Sequence, residues 1–203
     1  MPNPPGPRIY FVGSHSSGKT TLARWVANRY GLPLITEVAR SVLAETETTL
    51  DAMRVDVERT SDYQRRVFAR QLAAEAAQPS GFVSDRAFDN LAYAAEHATV
   101  LGTLMTSAGA VEYMRQVAHG VVLFVRPHKE LLKADGVRTG LDWDSVVRID
   151  GMIKLLLEQF EIPHLSIGTP SMQERVRSVE FVMRLLGVQP AAQQAPLCSR
   201  EVK

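Results

Sequence analysis

Short apolar runs alternate along the chain with longer stretches of helical period. "RIYFVG" (Arg8–Gly13) has the unbroken apolar centre of a strand buried on both faces, and a helical pattern follows from Lys19 to Tyr30, stopped by Gly31. "LPLIT" (Leu32–Thr36) is a second short strand, with a helical "EVARSVLAE" after it. "SDYQRRVFARQLAAEAAQ" opens on a Ser/Asp capping signal at Ser61–Asp62 and is a helix that Pro79 stops. "GFVSD" (Gly81–Asp85), "GVVLFVRP" (Gly120–Pro127) and "IPHLSIG" (Ile162–Gly168) complete five strands. Helical stretches follow them: "RAFDNLAYAAEHA", then "DSVVRIDGMIKLLLEQF" with an Asp144 cap, then "SMQERVRSVEFVMRLLG" ended by Gly187.

Apolar strands separated by helices require βαβ crossovers, so the pattern predicts a parallel sheet with helices on both faces. The expectation is one doubly wound α/β domain over residues 8–187, with a frayed leader at 1–7 and a flexible tail at 188–203. The length, 203 residues, suits one well-buried core.

Between the first strand and its helix, Gly13-x-x-x-x-Gly18-Lys19-Thr20 satisfies the phosphate-loop spacing in its expected context. Glycine lets the backbone turn its N–H groups inward into an anion-binding nest, and the following helix aims its N-terminal dipole at the same point. Gly13, Ser14, His15, Ser16, Ser17, Gly18, Lys19, Thr20 and Thr21 are therefore the candidate cofactor-binding residues. Lys19 is expected at the β- and γ-phosphates and Thr20 on Mg²⁺, so the implied cofactors are ATP and Mg²⁺.

Other residues narrow the chemistry. Asp85 ends the third strand, where the carboxyl end of a parallel strand borders the ligand crevice. It can hold magnesium through water or accept a proton from an attacking hydroxyl, and Arg86 beside it can clamp a phosphate oxygen. Glu37 and Arg40 share one side of a helix start by their i, i+3 spacing and are candidate acceptor contacts. "KADGVRTG" (Lys133–Gly140) has the glycines of a closing loop with Arg138 at its centre, a candidate catalytic arginine that stabilises charge on a moving phosphoryl group. Arg65, Arg66 and Arg70 are either a solvated face or the mark of a phosphorylated acceptor, and Gln71 is a candidate contact to an acceptor base.

Eighteen of the 23 basic residues are arginine, which forms bidentate forks to phosphate and carboxylate, yet the formal net charge is only +1. That balance argues against nucleic acid or an anionic membrane as partner. Cys198, the single cysteine, provides neither a disulfide framework nor a cysteine metal site, and no histidine pair has metal-ligand spacing. With no signal-peptide pattern and no apolar run near about 18 residues, a cytoplasmic protein is the expectation.

Together "GSHSSGKTTL", "TEVAR", "SDRAFDNLAY", "KADGVRTG" and the closing "IPHLSIG" and "QERVRSVEFVMRLLG" resemble P-loop kinases of the nicotinamide riboside kinase type, and the related small ATPase/kinase proteins of bacteria and phages. The resemblance runs from about Arg8 to Gly187. It implies a five-stranded nucleoside/nucleotide-kinase fold, ATP–Mg²⁺ as donor, and a small acceptor with a ribose hydroxyl or phosphate. By motif, Lys19 and Thr20 bind phosphates and Mg²⁺, Asp85 is the acid/base or metal-facing residue, Glu37 and Arg40 face the acceptor, and Arg138 is the lid arginine. The chain departs from that family in showing no separate adenylyltransferase domain. The fold often pairs, so a homodimer stays open. Two other readings remain: a nucleotide-dependent regulatory switch or binding module, and a kinase acting on nucleic-acid ends or modified bases.

Overall fold

Five apolar runs become five parallel strands whose order places the glycine loop at the centre. The structure, a computed structural model, describes residues 6–36, 38–45, 56–97, 100–132 and 142–191. Its elements are β1 (Arg8–Val12), α1 (Lys19–Tyr30), β2 (Leu34–Ile35), α2 (Val38–Glu45), α3 (Val57–Ala76), β3 (Phe82–Ser84), α4 (Asp89–His97), α5 (Leu101–Thr106), α6 (Ala108–Ala118), β4 (Val121–Val125), a 3-10 turn (Lys129–Leu131), α7 (Trp143–Gln159), β5 (His164–Ile167) and α8 (Met172–Leu185). The sheet order is β2-β3-β1-β4-β5. Ile9 pairs with Val83 on one side and Val121 on the other, and every pairing is parallel. From β1 the chain runs to the edge strand β2, returns to β3 beside β1 and then crosses to β4 on the other side of β1, so the switch in direction falls at the carboxyl end of β1.

Alternation within the strands divides the core into two layers. Tyr10, Val12, Phe82, Val122 and Phe124 point to one face and pack with α2, α3, α4, α6 and α7. Ile9, Phe11, Val83, Leu123 and Val125 point to the other and pack with α1 and α8. Each such side chain contributes roughly 1.5–3 kcal/mol by leaving water, so both layers clamp the sheet that carries the loop.

Several boundaries differ from the sequence expectation for identifiable reasons. Helix α3 begins at Val57, capped by Asp56, whose side chain accepts from Arg59 N at 3.0 Å; Ser61 and Asp62 lie inside the helix. Helix α7 starts at Trp143 on Asp142, which accepts from Ser145 N, in place of the expected Asp144 cap. Helix α4 starts at Asp89 because Asp89 Oδ2 accepts from Ala87 N at 2.9 Å and holds the preceding residues in a turn. Helices α5 and α6 are not among the elements predicted above. Among the described residues, no helix is long and apolar enough to cross a membrane.

Candidate active site

The site grows from the tight packing of Gly13 at the end of β1. A Cβ there would lie 2.4 Å from the Val125 carbonyl oxygen, so only glycine lets the chain leave the sheet so close to β4. The loop then turns through positive φ at Ser16 (54°) and Gly18 (91°), and Gly18 heads α1 with no side-chain cap. A helix start without a capping side chain leaves its first N–H groups directed at the loop, as an anion site requires. Inside the loop, Ser17 Oγ donates to the Ser14 carbonyl at 3.0 Å, and the Ser14 hydroxyl is buried with no partner. His15 lies against Tyr93 with ring centroids 4.6 Å apart, and Thr21 is exposed on the first turn of α1.

Lys19 spans the loop. Its Nζ donates to the carbonyls of Gly13 and Ser14, each at 2.7 Å, and lies 3.9 Å from Asp89 Oδ1. Asp89 also accepts from Gly13 N at 2.9 Å, so one buried carboxylate ties the start of α4 to the root of the loop and faces its lysine.

Asp85 stands at the exit of β3, only 6% exposed. Its Oδ2 accepts from Thr20 Oγ1 and from Thr36 Oγ1, both at 2.7 Å. Its Oδ1 is buried and has no partner. A buried, unpaired carboxylate oxygen beside the Thr20 hydroxyl has the donor chemistry of a hard-cation site, so Thr20 and Asp85 fit Mg²⁺. Among the described residues no group of three or more His, Cys, Asp or Glu side chains forms a protein-only metal site. Magnesium takes one or two protein carboxylates and completes its shell with water and phosphate.

Of the remaining candidates, Arg86 is half-buried and its Nε has no partner. Gln71 is fully buried, its Nε2 donating to Glu75 at 2.8 Å and Ser84 at 3.1 Å. That puts it in a polar network under the sheet, with Glu75 also accepting from Tyr10 and Tyr113. Burial pushes the Glu75 carboxyl up despite these three donors, and the two tyrosines are raised in turn. Arg70 pairs with Glu45 and Arg66 with Asp62 on exposed surface. Arg40 lies in α2, with its side chain outside the described set, and Glu37 and Arg138 lie outside the described residues.

Three features were missed by sequence reasoning. Asp89 was readable as a second carboxylate four residues after Asp85. Arg126 follows β4 at a strand carboxyl end, like Asp85, and makes a two-pronged pair with buried Asp150 at 3.1 and 2.5 Å. Burial pushes the Asp150 carboxyl up in spite of Arg126. Arg175, in α8, reaches the phosphate loop itself and gave no local signal.

The loop, its lysine and the Asp85 junction coincide with the reach of a family model described as "AAA domain", which matches residues 8–175. The chain belongs to the AAA domain family. Its architecture is the α/β P-loop NTPase fold, a nucleotide-binding domain. Among solved structures, the chain is similar to "NadR protein in complex with NR", with TM-score 0.65 and 19% identity, covering 94% of this chain and 54% of that one. It therefore spans about half of the NadR chain. Shikimate kinase from Acinetobacter baumannii, in complex with shikimate, is similar with TM-score 0.58 and 18% identity over 90% of this chain and 94% of its own. Deoxyadenosine kinase from M. mycoides gives 0.57 and 11% over 89% and 98%. No curated protein sequence matches the chain. These likenesses show that the chain shares its P-loop fold with such kinases.

Proposed function

We propose that the protein is a phosphotransferase that uses ATP and Mg²⁺ to phosphorylate a small acceptor: a nucleoside, a nucleotide or nicotinamide riboside. The observation that carries this reading is Asp85, with Oδ2 held by Thr20 and Thr36 and Oδ1 buried and unpaired beside the phosphate loop. A fixed carboxylate next to a triphosphate site suits transfer to a hydroxyl, because the acceptor must lose a proton as its oxygen bonds phosphorus. The neighbours in complex with NR and with shikimate are consistent with a small acceptor.

Each residue has a defined task in this reading. The loop amides and the Lys19 ammonium bind the phosphates and oppose the charge that builds on the leaving ADP oxygen. Mg²⁺, when bound by Thr20 and Asp85, neutralises phosphate charge. Asp85 Oδ1 takes the acceptor proton or holds the ion; its single free oxygen serves either task. Arg86 clamps an anionic oxygen with its unpaired Nε. In the same reading the sequence motifs give Glu37 and Arg40 the task of acceptor contacts and Arg138 that of stabilising charge on the moving phosphoryl group. The protein works in the cytoplasm on small molecules, in keeping with its near-neutral charge and single cysteine.

The test is ADP release in the presence of a panel of nucleosides, monophosphates and nicotinamide riboside. Release that rises with one acceptor supports the reading. Slow release that no acceptor accelerates points instead to a regulatory ATPase.

A further inference from the structure

Arg175 heads the wholly buried side chains by size, at 0% exposure, and among the described residues its charge has no acidic partner. No described carboxylate lies within ion-pair distance of it. Its guanidinium is satisfied by main-chain oxygens alone: Nη1 donates to the Ser17 carbonyl, Nε to Thr169 O at 2.5 Å, and Nη2 makes a long 3.5 Å contact to Arg126 O. These three oxygens come from the phosphate loop, the β5–α8 connection and the residue after β4. Burial alone pulls its pKa below the ordinary guanidinium range. A buried cation without an anion is unfavourable unless its surroundings supply negative charge.

The geometry at Ser17 gives the cation a purpose. The Ser17 C=O and the Gly18 N–H belong to one planar trans peptide and point in opposite directions. Fixing the oxygen on Arg175 turns the Gly18 N–H away from the guanidinium. Gly18 sits at φ 91°, and a Cβ there would lie 3.0 Å from Arg175 Nη1, so the guanidinium packs directly against the residue that heads α1. Loop N–H groups of this kind cradle the α- and β-phosphates of a bound nucleotide.

We propose that Arg175 is a positioning residue of the phosphate loop. It sets the Ser17–Gly18 peptide so that the Gly18 N–H meets bound phosphate, and the di- or triphosphate supplies the negative charge that balances the buried guanidinium. The proposal rests on nucleotide binding at this loop, as in the reading above.

The test is ADP binding by the wild type, Arg175→Met and Arg175→Lys, read by calorimetry and by the Gly18 amide resonance in a ¹⁵N-labelled sample. Wild type should bind ADP with a downfield shift of the Gly18 amide. Arg175→Met, close in length but uncharged, should bind at least about tenfold more weakly and lose that shift, with its melting temperature without nucleotide held or raised. Arg175→Lys keeps the charge and loses the fork, so it should fall between the two. Wild-type affinity and an unchanged Gly18 shift in Arg175→Met, with a lowered melting temperature, would mean packing alone and overturn the proposal. If Arg175→Met does not fold, Arg175→Lys with wild-type ADP affinity overturns it equally. A wild type that binds no ADP overturns the nucleotide reading instead.

Discussion

The Thr20 hydroxyl donates to Asp85 Oδ2 at 2.7 Å, joining the first turn of α1 to the exit of β3. One carboxylate oxygen is thereby fixed while the other stays buried and unpaired. Asp85→Asn keeps the shape and removes the charge. Acceptor-dependent turnover should fall by about 10²–10⁴-fold while the melting temperature moves little. Steady-state kinetics with magnesium varied measures this, and turnover within threefold of wild type would remove Asp85 from the chemistry.

Gly13 tests the loop as a packed structure. Its absent Cβ would meet Val125 O at 2.4 Å, and both atoms belong to backbone that cannot swing aside. Gly13→Ala should destabilise the protein by about 1–3 kcal/mol and weaken nucleotide binding together. Urea denaturation and ADP titration on the same sample check the pair of effects, and a variant with wild-type values in both would show that the exit from β1 has room for a side chain.

The β1–loop–α1 unit was legible because its signals are local: an apolar run, glycines at fixed spacing, a helical period and a Gly31 stop. The five strands were legible for the same reason. The start of α3 was not, because Val57 is exposed and no buried apolar stripe marks its first turn. Helix α5 has no fully buried residue, and its one apolar turn, Leu101, Leu104 and Met105, packs only partly against the core and is too short to read as a helical period. Helix α6 carries Ala110, Tyr113, Met114 and Val117 inward, a period that was present to be read. Within the site, Lys19 and Asp85 announced themselves by spacing and strand position. Asp89 was visible as a carboxylate near Asp85, but its contact with Gly13 and that of Arg175 with Ser17 span 76 and 158 residues, and no local pattern encodes such contacts.

Glu75 gives a pH prediction. Burial raises its carboxyl above the ordinary 4.5, so the folded protein holds this proton to higher pH than the unfolded chain does. As pH rises from about 4.5 to the raised value, the unfolded state ionises first and stability is lost. Glu75→Gln removes that loss. Denaturant midpoints should show the variant gaining on wild type as pH rises from 4.5 and levelling off once Glu75 has ionised. A difference that stays constant across that range would contradict the assignment.

Arg126 and Asp150 make a two-pronged pair at the exit of β4, with the carboxylate buried and the guanidinium 39% exposed. Arg126→Ala strands the carboxylate and should cost about 2 kcal/mol, less than a fully buried pair because water reaches the arginine. Removing both groups should recover part of that loss. Urea denaturation of the double-mutant cycle measures it, and additive effects would show that the two side chains do not stabilise one another.

The central claim is transfer to a small acceptor, and ATP labelled in the γ-phosphoryl group tests it most directly. With each candidate acceptor, products are weighed by mass spectrometry for wild type and Lys19→Ala. The account predicts that one nucleoside, nucleotide or nicotinamide riboside gains the labelled phosphoryl group with wild type and gains none with Lys19→Ala. Label recovered solely as inorganic phosphate, or transfer undiminished in Lys19→Ala, would contradict it.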